Sequence, residues 1–106
     1  MIVATTESLP GRRVTAVLGL VRGNTIRARH LGKDISAAFK NLAGGEISDY
    51  TKMMAESREQ AIDRMIEDAE SVGADAIVGV RFTTSSVMQG AAEILVYGTA
   101  TRCELE

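Results

Sequence analysis

The chain contains no tryptophan, and its few tyrosines and phenylalanines bring aromatic content to only 4%. A core of this composition rests on Val, Ile, Leu, Ala and Met. It also lacks the aromatic platforms that stack nucleobases. One cysteine, Cys103, excludes an intramolecular disulfide and fits a reducing compartment, so a cytoplasmic location is expected. One histidine, His30, leaves Ser–His–Asp chemistry a single candidate base. Charge of one sign is missing too: the net charge of -2 gives no electrostatic case for nucleic acid or an anionic membrane as partner. No apolar run approaches the roughly 18 residues of a membrane span. Residues 1–6 carry no basic patch of the kind that opens a secretory leader.

What is present fits one α+β domain over residues 1–106. Residues 1–6 read as a short edge strand, ended by the turn signal Leu9-Pro10-Gly11. Arg13 to Val21 is rich in β-branched residues and apolar on both parities, and Gly19 within it predicts a bulge. Arg22-Gly23-Asn24-Thr25 has the composition of a turn, after which Thr25 to His30 either extends the strand or forms a loop. Asp34 can cap a short helix, Ile35 to Leu42, stopped by Gly44-Gly45. Asp75–Thr84 and Glu93–Cys103 read as two strands joined through Ser85–Gly90. The expected architecture is an antiparallel sheet with one long and one short helix packed on one face.

The long helix runs from Asp49 to Val72, with Ser48 as N-cap and Gly73 in the left-handed C-cap position. On a helical wheel one arc collects Tyr50, Met54, Ala55, Ala61, Ile62, Met65, Ile66, Ala69 and Val72, the face toward the sheet. The opposite arc collects Glu56, Glu59, Asp63, Glu67 and Glu70. Like charges four residues apart disfavour a helix by roughly 0.2–0.5 kcal/mol per pair. The carboxylates near the C-terminal end also oppose the macrodipole. A solvated face stabilised by tertiary packing, pairing with arginines of a neighbouring copy, and hard-cation binding are three ways to offset this. Arg58 falls inside the apolar arc, where it must be paired, with Glu46 and Glu93 as candidates, or must reach out along its stem.

Chemical motifs are sparse. His30 and Cys103 are weak soft-metal candidates. A tetrahedral site wants three or four such ligands, so one chain alone does not close it. Thioethers of Met53, Met54, Met65 and Met88 are further donors for copper(I) in an assembly. Gly44-Gly45-Glu46 is followed by no Lys-Ser/Thr pair and so is no phosphate loop. Enzymatic function is therefore disfavoured. Along Glu93–Cys103 one parity thins to Gly98 and Ala100, where another backbone can approach. The strands hold too little polarity for a sheet covered on one face only, so copies of the chain are expected to bury the second.

Gly44-Gly45-Glu46 with Tyr50, Arg58 and Ala61, then Gly73-Ala74-Asp75-Ala76-Ile77-Val78-Gly79-Val80, Glu93 and Tyr97-Gly98-Thr99-Ala100 together resemble the YbjQ-like family. These are small bacterial and archaeal proteins of uncharacterised function, often labelled as heavy-metal-binding. The resemblance covers nearly the whole chain. It implies a dodecin-like α+β subunit and a ring-shaped homopentamer, with Glu46, Tyr50, Arg58 and Asp75 as positions that matter to ligand binding or to the interface. Three functions follow as expectations. One is a non-enzymatic ring-forming homo-oligomer that binds a metal ion or small ligand. Another is a flavin-like or anionic ligand site at the subunit interface around Glu46, Tyr50 and Arg58. The last is a hydrolase or isomerase with Glu46 as base and Arg58 as electrostatic stabiliser.

Overall fold

Hydrophobic patterning accounts for most of the sheet. A computed structural model describes residues 1–28 and 48–106. The elements are β1 (Ile2–Val3), β2 (Arg12–Ala28), α1 (Ser48–Ser71), β3 (Ala76–Met88) and β4 (Ala91–Leu105). The sheet order is β1-β3-β4-β2, with β4 antiparallel to both β3 and β2. Helix α1 lies across β2 and β4, burying Ala61, Met65 and Ala69 against Val21, Ile94, Val96 and Ala100.

Three expectations need correction. The sheet is mixed rather than antiparallel, because β1 pairs parallel with β3 through Ile2↔Ala76 and Val3↔Ile77. The chain leaves β1 along the edge of β3, then turns at Leu9, whose side chain packs on Ala76 and Val78, before entering β2. A crossing of that kind delivers parallel strands, whereas a hairpin would deliver antiparallel ones. Among the described residues there is one helix, not two; the expected short helix Ile35–Leu42 lies outside them. The structure is a single chain and gives no sign of a ring, so the ring is withdrawn from the fold description.

Two strand boundaries also move. The turn composition at Arg22–Thr25 does not break the chain, and β2 runs straight through it to Ala28. The β3–β4 connection shortens to Gln89-Gly90, with Gly90 at a φ of 78°. Gly19 fulfils its reading: φ is 111° and the β2–β4 register shifts beside it.

The C-terminal end of the helix carries its expected chemistry. Gly73 has a φ of 78°; its N–H donates to the Glu70 carbonyl at 3.0 Å, and Ala74 N–H donates to the Ala69 carbonyl at 3.1 Å. That pair of bonds is a Schellman cap. No basic residue occupies the last turn of α1. Arg102 of β4 supplies the missing cation, since its guanidinium lies where a methyl group on Gly73 would stand 3.0 Å from Nη2. Arg102→Ala should therefore lower stability by about 0.3–1 kcal/mol at low salt. Urea unfolding at low and high salt checks this, and the loss should shrink as salt screens the charge.

Candidate functional site

The face of the sheet turned away from α1 is half covered by the chain itself. Leu9, Ala76 and Val78 form a small second core there, flanked by Ile2, Ala4 and Cys103. The apolar character of both parities in β3 thus has an internal cause: Ile77 and Val80 meet the helix, while Ala76 and Val78 meet the N-terminal segment. Gly98 is likewise filled from within, because a methyl group there would stand 2.7 Å from Ile77 Cγ2 and 3.1 Å from Val80 Cγ2. It offers no opening for a neighbouring backbone.

Beyond that cover the outer face is open. Val17, Leu20 and Ile26 of β2 are 69%, 67% and 61% exposed. Their register partners on β4 are Thr101, Thr99 and Glu93. Arg22 and Asn24 lie between them on the same parity, so this face mixes apolar and polar groups. It is less uniformly apolar than the composition predicts. Where the cover ends and the open face begins lies a cavity of about 390 Å³. Val14, Val17 and Val78 supply apolar wall, and Glu7, Arg81 and Thr99 supply polar groups. Gly79, with a φ of 63°, lies at the same place as a register irregularity between Val78 and Arg81, and this kink re-aims the strand beside the cavity. Arg81 Nη1 donates to the carbonyl oxygens of Thr5 and Val80, each at 2.9 Å.

The residues singled out from sequence are spread apart. Glu46 and His30 lie outside the described residues, as does the side chain of Tyr50 at the start of α1. Arg58 is exposed on α1. It stands 13 residues before Ser71, about 20 Å along the axis from the end that leads into Asp75. Asp75 is brought to Cys103: its carboxylate accepts the Cys103 backbone N–H at 3.0 Å, a tie between the entry of β3 and the end of β4. Cys103 itself is half-buried against the small second core. The acidic arc of α1 is exposed throughout, as expected. The same helix is tied to β2 by Arg64 to the Asn24 carbonyl at 2.6 Å, Arg27 to Gln60 Oε1 at 2.5 Å and Arg22 N–H to Asp68 at 3.1 Å.

Residues missed by sequence reasoning are those of the cavity. Glu7 and Arg81 are 74 positions apart, and only the run of the N-terminal segment along β3 brings them to one site. No local spacing announces it.

Among the described residues no group of three or more His, Cys, Asp or Glu side chains converges as a metal site. Cys103 and Asp75 meet through a backbone N–H and not through converging ligand atoms. The described part of the chain therefore does not fit a heavy-metal centre. No described helix is long and apolar enough to cross a membrane.

Comparison with known proteins places these features. The family model YbjQ_1, described as "Putative heavy-metal-binding", matches residues 1–104. A UPF0145 protein of Thermosipho melanesiensis is 60% identical over 102 residues, 96% of this chain and 94% of that one. A UPF0145 protein of Methanosarcina acetivorans is 58% identical over 102 residues, 96% of each chain. Among solved structures, a protein of unknown function from Pediococcus pentosaceus, of the DUF74 family, aligns with a TM-score of 0.69. It covers 98% of both chains at 15% identity, so the likeness speaks to fold alone. A match across nearly the full length, with relatives this similar in bacteria and archaea, means that the chain belongs to the YbjQ_1/UPF0145 family.

Proposed function

We infer that this chain works as a non-enzymatic, self-associating protein of the cytoplasm, whose copies cover the open part of the outer sheet face. The observation that carries this is the row Val17, Leu20 and Ile26 on β2, each more than 60% exposed. Burial of such side chains is worth about 1.5–3 kcal/mol apiece when complete. The interleaved Arg22 and Asn24 give the polar fraction usual for a protein interface.

Two further features support the reading. Among the described residues β2 has no strand on its outer side, and β3 has none beyond Val80, where the N-terminal segment ceases to bond it. Long open edges of this kind are normally paired, covered or charged. The radius of gyration is 17.5 Å, against about 13 Å for a compact chain of ~100 residues. A slab of 55 × 24 × 15 Å, one sheet and one helix thick, supports the reading that a partner covers the open part of its second face. A second copy answers both features, since a neighbour that pairs with the open edge of β2 also meets the bare face of that same strand.

The family resemblance sets the expected copy number at five. Sedimentation velocity and native mass spectrometry of the full chain at micromolar concentration should give a discrete oligomer. A monomer at all accessible concentrations would end the proposal.

A further inference from the structure

We propose that the cavity between the N-terminal segment and the outer sheet face binds a small zwitterion with an aliphatic side chain, of the kind exemplified by a free branched-chain amino acid. The inference goes beyond self-association; Val17 alone is shared, since it both ends the interface row and lines the cavity. Its basis is the pairing of one cation, one anion and an apolar wall around a single cavity of about 390 Å³, near the small end of ligand pockets.

The Arg81 guanidinium is held in place by two backbone carbonyls, both accepting from Nη1. Nε and Nη2 remain for a ligand, and a guanidinium fork matches a carboxylate in two parallel hydrogen bonds. Glu7 lines the same cavity, yet the two side chains form no ion pair with each other. Opposite charges that line one cavity without pairing to each other select by elimination. A plain carboxylate meets Arg81 but is repelled by Glu7, and a plain amine meets Glu7 but is repelled by Arg81. A neutral alkane leaves both charges without a counterpart. A zwitterion places its carboxylate on Arg81 and its ammonium toward Glu7, and the Thr99 hydroxyl offers a further hydrogen bond. Val14, Val17 and Val78 then face the remaining part of the ligand, which favours a branched aliphatic group over a charged or long one.

The test uses the full chain with its valine methyl groups isotopically labelled, titrated with unlabelled L-valine. Isovalerate, lacking the ammonium, and isobutylamine, lacking the carboxylate, are the comparison probes. Saturable shifts confined to Val14, Val17 and Val78 are expected, with a dissociation constant on the order of 1 mM for a ligand this small. Both comparison probes should bind about tenfold more weakly or not at all, and Arg81→Met should weaken L-valine binding by about tenfold. Glu7→Gln, an exposed change remote from the main core, should also weaken L-valine by about tenfold while bringing isovalerate level with it. That variant keeps the test decisive if Arg81→Met, which releases the Thr5 carbonyl, fails to fold. Absence of saturable shifts, isovalerate binding as tightly as L-valine to the unsubstituted chain, or an unchanged affinity in Glu7→Gln would each overturn the proposal. Methyl spectra report occupancy whatever the copy number, so loss of binding and loss of self-association are read separately.

Discussion

Gly23→Ala is expected to lower the stability of the fold by about 3 kcal/mol or more, the upper end of what overpacking costs. A methyl group on Gly23 would land on the Ala61 carbonyl oxygen, 2.5 Å from the Met65 nitrogen and 2.9 Å from Arg64 Cβ. Two of those three atoms are helix backbone, so no rotamer change relieves the clash. The helix would have to lift, and with it the Ala61–Met65 seam, two residues with no exposed surface. Against a total of about 5–15 kcal/mol for a domain, this is a large fraction. Gly11→Ala is the control: it also alters a glycine, at a φ of 82°, but nothing lies within 4 Å of the new methyl group. Its cost should stay near the 1–2 kcal/mol of a left-handed non-glycine residue. Urea unfolding at matched protein concentration distinguishes them. Gly23→Ala within about 0.5 kcal/mol of the parent would mean that the close approach of helix to strand is not real.

The second large effect concerns assembly. Leu20→Lys/Ile26→Lys should leave the folded chain intact, because both side chains are more than 60% exposed in the lone molecule. Exposed changes of this kind usually move stability by no more than about 0.5 kcal/mol. Two lysines on an open edge strand are, however, a device by which natural sheets prevent pairing. Self-association should weaken by about 100-fold or more, as when two central interface side chains are lost. Sedimentation would then report monomer where the parent protein sediments as an oligomer. Neither residue lines the cavity beside Val78, so zwitterion binding is expected to survive. An unchanged sedimentation coefficient would place the contact between copies elsewhere.

Helix α1 was legible because its signals agree: apolar spacing, Ser48 at one end, and Gly73 at the other with its Schellman bonds. The wheel placed Arg58 inside the apolar arc, and its exposure has a geometric reason. The buried row is Ser57, Ala61, Met65 and Ala69, residues four apart. Such a row winds about 40° around the helix at each step. At the level of Arg58 the sheet lies toward Ser57, so Arg58 points away, although the averaged wheel puts it near Met65 and Ala69. Gly23 was misread because residue type alone does not distinguish a glycine that turns the chain from one that admits a neighbouring backbone. The parallel β1 was beyond reach, since two residues carry no period, and the direction of pairing is set by how the chain crosses to β2. The cavity was illegible for the related reason that Glu7 and Arg81 come from distant segments.

The position of β4 at the centre of the sheet has a consequence for synthesis. Strand β2 ends at Ala28, and its partner β4 begins at Ala91. At about 5–20 residues per second, β2 waits on the order of 3–13 s after emerging before β4 exists to pair with it. Through that interval Val14, Val17, Leu18, Leu20 and Val21 sit on a nascent strand with no ladder to join, which makes this stretch the natural point of engagement for a chaperone on the ribosome.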